Sequence, residues 1–202
     1  MPDEQFVADI NLLGGRLAVD FANAPSYPGS PFHDLSWEDL VAFLGIARVV
    51  SPERGEALLA LPATDTKAAV ALLGRATRLR RTLRQSFVAL VQGESVPPVA
   101  AASINEILRI TEGHDELVLR DGAWKLEFVP RESGSDWLLA AIARSAAEIL
   151  ADPASARLRT CANPDCGLLF CDNSRTHRRR WCSMAICGNR SKVASFSRRH
   201  AS

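Results

Sequence analysis

CANPDCGLLFCDNSRTHRRRWCSMAICGNRSKVASFSRRH, residues 161–200, holds all five cysteines of a 202-residue chain. Cys161 and Cys166 are separated by four residues, Cys182 and Cys187 by four again, and fifteen lie between the pairs. A short loop closed by two cysteines can place both sulfurs on one ion at about 2.3 Å, and two such loops supply the four thiolates that tetrahedral zinc prefers. The spacing therefore predicts one structural Zn2+ per chain on Cys161, Cys166, Cys182 and Cys187. Pro164 fixes a turn in the first loop and Gly167 allows close backbone approach. Iron on the same four sulfurs stays open. Buried reduced thiols are the plainer alternative, but two matched pairs within 27 residues are hard to obtain by core packing. A filled quartet leaves no coordination position for substrate, so the metal is expected to hold structure and not to catalyse. Cys171 is the odd thiol, read as a small side chain on an intervening hairpin. His177 reads as a surface or phosphate-facing residue.

Between and after the cysteine pairs stand Arg175, Arg178, Arg179, Arg180, Arg190, Lys192, Arg198 and Arg199. The expected finger is a short hairpin plus a basic helix over 188–200, with Val193 and Phe196 turned inward and Arg190, Arg198 and Arg199 outward. Arginine's planar fork suits bidentate contact with phosphate or guanine, which makes DNA the expected partner. Binding driven by counterion release weakens steeply with salt. A basic surface serving only solubility is the plainer reading.

Working outward, charge divides the chain. Residues 1–154 carry 14 Lys/Arg and 21 Asp/Glu, a net −7, whereas residues 155–202 carry 10 and 2, a net +8. The break falls at Ala151-Asp152-Pro153-Ala154-Ser155, where a helical pattern meets a proline, so the expected domains are 1–151 and 152–202. A tail of this size has little core of its own, and metal binding can supply the missing free energy, on the order of 10 kcal/mol. Composition at 47% hydrophobic and 23% charged excludes disordered and fibrous classes. No run reaches the roughly 18 apolar residues of a membrane span, and the acidic Met1-Pro2-Asp3-Glu4 does not read as a secretory signal. A cytoplasmic, membrane-free address follows as an expectation, and with it reduced thiols.

The body reads as mainly α with a small β-hairpin, an α+β arrangement. Leu17, Val19 and Phe21 alternate with Ala18 and Asp20, predicting an irregular or weakly extended stretch, and Pro25, Pro28, Gly29 and Pro31 mark a loop. Ser36 with Asp39 resembles a capping box before a helix carrying Trp37, Leu40, Val41 and Leu44. Ser51-Pro52-Glu53 restarts a helix through Leu61. From Lys67 to Gln92, Leu72, Ala76, Leu79, Leu83, Phe87 and Leu90 recur at helical steps. The opposite face of that helix bears Arg75, Arg78, Arg81 and Arg84, read as a solvated face or an anion surface. Pro97-Pro98 opens a further helix through Ile104, Ile107, Leu108 and Thr111, ended by Gly113. Asp121-Gly122 predicts a two-residue turn between Leu117–Arg120 and Ala123–Phe128. Leu117, Leu119, Trp124, Leu126 and Phe128 share one face of that hairpin, expected to lie against the helices. Asp136 starts a last body helix carrying Leu138, Leu139, Ile142, Ala146, Ile149 and Leu150.

WCSMAICGNR at 181–190, with Cys161, Cys166 and the run NSRTHRRR before it, resembles the CGNR zinc finger, whose naming motif is Cys187-Gly188-Asn189-Arg190 here. GGRLAVDFAN at 14–23, followed by a proline-rich loop and Ser36-Trp37-Glu38-Asp39-Leu40, resembles the start of the ABATE domain that commonly precedes this finger. Together the resemblances imply a stress-response transcription regulator with the finger as its DNA-binding part. Ala24 departs from the threonine frequent in that family, and Cys171 and His177 depart from the usual finger residues.

The expected function is thus a zinc-dependent DNA-binding regulator whose body senses a small-molecule effector or mediates association, with a homodimer as an expected form. The alternative is a zinc-stabilised module that binds protein or RNA and not specific DNA. Asp20 and Asn23, beside the proline loop, are candidate effector ligands; a turn hydrogen bond is their plainer role. No nucleophile with a base at recognisable spacing, phosphate-cradling glycine loop or His-Glu metal motif is present, and no enzyme is expected.

Overall fold

The structure, a computed structural model, describes residues 12–25, 33–110, 113–120, 122–130 and 136–200. Pro28, Gly29, Pro31, Thr111, Asp121 and the Met1–Glu4 segment lie outside the described residues.

Helix α2 (Trp37–Ile46) begins as its sequence demands. The Ser36 hydroxyl accepts the Asp39 N–H at 3.0 Å, and the Asp39 carboxylate accepts the Ser36 N–H at 3.0 Å. Its Trp37 indole donates to the Leu58 carbonyl of α3 (Pro52–Thr64) at 3.1 Å, which ties the two helices together. The chain then turns by 116° into α4 (Thr66–Gln92), capped by Asp65, whose carboxylate accepts the Ala68 N–H at 2.9 Å. Leu72, Ala76, Leu79, Leu83 and Phe87 form the buried stripe of α4, and Gly93, with a φ of 75°, ends it. Helix α5 (Pro98–Ile110) packs beside it, and helix α6 (Ala140–Ala151), entered through a 3-10 turn at Asp136–Leu139, packs on α5. Among the described residues no single helix is long and apolar enough to cross a membrane.

Residues 14–23 depart from the expected extended stretch. Leu17–Asn23 is a helix, α1, wedged between α4 and α6. Ala18, Val19, Phe21 and Ala22 are fully buried, and Phe21 meets Phe43 with ring centroids 5.1 Å apart. A short helix buried from Ala18 to Asn23 has no solvent-facing side, and its Asp20 and Asn23 are buried with the rest, so it lacks the 3.6-residue rhythm by which helices are read.

Strands β1 (Gly113–Arg120) and β2 (Ala123–Pro130) pair antiparallel, with Leu117 opposite Leu126 and Leu119 opposite Trp124. Gly113 therefore opens a strand and does not end α5. Glycine adopts extended backbone as readily as helix-ending conformations, so the residue alone could not choose. Leu117, Leu119 and Trp124 of the apolar hairpin face do not lie against the helices either: the two leucines are 59% exposed and Trp124 66%. Alternation shows that side chains share a face but not that anything covers it.

Downstream, α7 (Pro153–Ala156) leads to a small sheet of β3 (Leu158–Thr160) and β4 (Leu169–Cys171), Leu158 pairing with Cys171 and Thr160 with Leu169. This sheet is the short hairpin of the finger and carries Cys171; it brackets the first cysteine pair, and residues 172–181 beyond it are turns and loop. A single π-turn at Met184–Gly188 feeds α8 (Asn189–His200). Val193 is 65% exposed and Phe196 57%, correcting the inward positions assigned to them. The small interior they were to fill is already occupied by Leu168 and Phe170, with Trp181, Ile186 and Leu13 packed around it.

The two burial patterns generate contrasting stabilities. Phe21→Ala should lower unfolding free energy by about 3–5 kcal/mol, while Trp124→Ala should change it by no more than about 0.5 kcal/mol, as read by urea denaturation.

Candidate metal centre

Cys161, Cys166, Cys182 and Cys187 are brought together, their Sγ atoms all within 4.8 Å of one another and all buried. Cys166 Sγ lies 3.6 Å from Cys182 Sγ, which is 3.7 Å from Cys187 Sγ. Four sulfurs at tetrahedral corners about 2.3 Å from an ion stand about 3.8 Å apart, so the quartet fits a zinc-binding site. The local backbone builds each half. Cys161 N–H donates to the Leu168 carbonyl at 2.8 Å and Cys166 N–H to the Asn163 carbonyl at 3.0 Å, while Gly167 turns the chain with a φ of 65°. In the second half the Ser183 hydroxyl accepts the Ile186 N–H at 3.3 Å. Gly188 sits close under the Met184 side chain and Trp181, where a β-carbon would displace the exposed methionine end and approach Trp181 Cδ1 at 3.2 Å.

Crowding among the sulfurs shapes their protonation. The hydrogen bond from Cys182, followed by a Leu168 N–H and bonds from the other two thiols, outweighs burial and holds Cys166 down at about 5. Cys182 is pushed far up by donating to Cys166, and burial raises Cys187 to about 11. The cluster thus favours one thiolate and resists a second, a resistance that a divalent cation would remove. The Asn163 side-chain amide donates to Cys187 Sγ at 3.6 Å, a polar contact from outside the quartet. Cys171 stands apart, fully buried in β4, where burial raises its thiol.

The basic residues divide. Arg175, Arg178 and Arg180 are exposed on the loop, and Arg190 and Lys192 on the first turn of α8; the side chains of Arg198 and Arg199 lie outside those described. Arg179 differs from this set. Its guanidinium donates to the Trp181 carbonyl at 2.8 Å, the Leu13 carbonyl at 3.4 Å and the Cys182 carbonyl, and lies 4.6 Å from the Phe170 ring centroid. Arg179 therefore fastens the finger, with its fork committed to the interior. The loop's base is Asp172, fully buried. Its carboxylate accepts the Ser174 hydroxyl at 2.6 Å, the Ser174 N–H at 3.1 Å and the Arg179 N–H at 3.0 Å, with Arg159 3.3 Å away. Burial alone would raise this acid, but the hydrogen bonds and Arg159 hold it below its ordinary value. Arg159 also donates to the His177 carbonyl at 2.9 Å, where His177 adopts a φ of 51° with its side chain exposed.

Asp20 and Asn23, the candidate effector ligands, are buried on α1 and spoken for by backbone. Asp20 accepts the Gly14 N–H at 2.6 Å, an approach that leaves no room for a β-carbon at Gly14. The Asn23 amide donates to the Leu169 carbonyl at 2.8 Å and accepts the Leu169 N–H at 3.0 Å, so one side chain satisfies both polar groups of a β4 residue. Sequence reasoning missed this clasp, along with Arg84, which donates to the Gly167 carbonyl at 3.0 Å, and Asp172. For Asp172 a signal existed: it is one of two acids in the otherwise cationic tail.

Comparison with known families matches residues 15–153 to ABATE, described as "Putative stress-induced transcription regulator", and residues 157–200 to the CGNR zinc finger. The chain belongs to the ABATE family and carries a CGNR zinc finger. No curated protein matches the chain. For this ABATE chain the family description points to regulation and not to catalysis, and the CGNR match agrees with the geometry of the four sulfurs.

Two measurements test this site. Cys182→Ser should abolish stoichiometric metal binding by elemental analysis of the purified chain, whereas Cys171→Ser should leave the metal content unchanged. Asp20 gives a pH test, because burial, set against the lowering Gly14 hydrogen bond, raises its carboxyl to about 6. A raised acid favours the folded state in its neutral form, so its penalty is present above about 6 and fades as pH falls toward its ordinary value. Between pH 7 and pH 5 the wild type should therefore gain about 1 kcal/mol on Asp20→Asn in chemical denaturation.

Proposed function

We propose that this ABATE chain is a zinc-dependent DNA-binding transcription regulator, acting in a stress response in the cytoplasm, with residues 1–151 as sensing or association body and 152–202 as finger. The observation that carries the reading is the cysteine quartet with exposed arginines on the loop between its two halves. Zinc on Cys161, Cys166, Cys182 and Cys187 has a structural role: with four thiolates it offers no open position for chemistry. Arg175, Arg178 and Arg180 meet DNA phosphates from the loop. Arg190 and Lys192 do so from the start of α8, with Arg198 and Arg199 further along, and Arg190 is the candidate for contact with a base edge. The backbone engagements of Asp20 and Asn23 favour a role in joining body to finger over direct ligation of an effector. A small-molecule effector acting on the body would reach the finger through this joint, and a homodimer would raise affinity by presenting two fingers.

The test is fluorescence anisotropy of the full chain on mixed-sequence duplex DNA across a salt series. Binding should weaken at least tenfold in Arg175→Ala/Arg178→Ala/Arg180→Ala, and the log-log salt slope should flatten by about 0.9 for each phosphate no longer neutralised. Removal of zinc by a strong chelator should abolish binding. DNA binding untouched by the triple substitution would instead favour the protein- or RNA-binding module.

A further inference from the structure

We propose that the DNA-binding surface continues from the finger onto the body, along the exposed arginines of α4; this rests on the DNA-binding reading. The body as a whole is acidic, yet the 27 residues of α4 contain Lys67 and five arginines and no carboxylate at all. Such a helix repels itself electrostatically unless its cations have separate uses, and their positions divide accordingly. Arg80 is buried and donates to the His33 carbonyl at 2.8 Å. Arg84 reaches Gly167, the residue after the ligand Cys166, as described above. Arg78 and Arg81 are exposed, and among the described residues no carboxylate forms an ion pair with either.

Their location joins them to the finger. Helix α4 packs on β3, and the next contacts lead straight to the basic loop: Arg159 of β3 holds the His177 carbonyl and the Asp172 carboxylate. Arg81 and Arg78 stand three and six residues before Arg84, about 4.5 and 9 Å along the helix axis. A cationic row leading away from the metal centre suits a phosphate backbone, since phosphate contacts require charge at regular intervals and no particular bases. The acidic remainder of the body repels the same polyanion and leaves α4 as the face on which a duplex held by the finger can lie.

The experiment compares Arg78→Gln/Arg81→Gln with Arg48→Gln/Arg109→Gln in the full-length, metal-loaded chain on mixed-sequence duplex DNA. Both variants remove two exposed positive charges, so the effect of net charge cancels. The first should weaken binding several-fold and lower the salt slope by about 1.8, at two phosphate contacts, while the second should alter the slope by less than half as much. Equal behaviour of the two, with the loop triple variant still defective, would overturn the role of α4 and leave the finger reading intact. Wild-type chain that fails to bind DNA would overturn both. Independently of any substitution, bound DNA should protect Arg78 and Arg81 of the wild type from phenylglyoxal modification in mass spectrometry. Full reactivity of both in the complex would equally overturn the proposal.

Discussion

Residues 168–171 serve two interiors at once, and the rest of the molecule is arranged around that constraint. Leu168 and Phe170 face the four cysteines, whereas Leu169 and Cys171 face the core built by α1, α4 and α6. A strand with both faces buried must have its backbone satisfied from its edges. Part of that comes from the body: Asn23 completes Leu169, the Gly14 carbonyl accepts the Cys171 N–H at 2.7 Å, and Arg84 serves Gly167. Each such bond, if broken with its partner left buried, costs about 1–3 kcal/mol. The separation near residue 151 is therefore one of composition and charge, while packing crosses it. A metal bound at the quartet would, in ordering the sulfurs, also order the face of β4 on which α1 rests. By linkage the relation is reciprocal: whatever steadies the body raises the affinity of the quartet by the same factor.

What could be read in the sequence was local. Four cysteines in two matched pairs declare a metal site because ligand spacing is set by a few bonds of backbone within each loop. Ser36 and Asp39 declare a helix start because capping is settled within one turn, and the stripe of α4 is long enough for its period to dominate. What could not be read depended on distant partners. Helix α1 is hidden by complete burial, and the hairpin's apolar alternation said nothing about what lies across from it. The predicted inward face of α8 failed because an interior lined by Leu168, Phe170, Trp181 and Ile186 has no space left for Val193 and Phe196.

Arginine was the least legible residue type. Charge counting finds the cationic segment, yet side chains in one short run go different ways: Arg178 to solvent, Arg180 exposed over the Trp181 ring, Arg179 between them onto Phe170 and three carbonyls. A long apolar stem ending in a planar fork can satisfy buried carbonyls as well as it can meet water or phosphate. Only the environment decides. The same holds on α4, where Arg80 turns inward and its neighbour Arg81 does not.

Asp172 explains how so many like charges can share one loop. Arg175, Arg178, Arg179 and Arg180 fall within six residues, and their mutual repulsion opposes any compact arrangement. A buried carboxylate held ionised by Ser174, by the Arg179 N–H and by Arg159 places compensating negative charge at the base of the loop, where it closes the turn without occupying the exposed guanidinium groups. Arg159 then fastens the far side through the His177 carbonyl. The loop is thereby ordered in advance, so the proposed contact with phosphate need not meet the full entropic cost of arranging it. That preorganisation ties a buried acid, which charge counting passes over, to the exposed cations that charge counting finds.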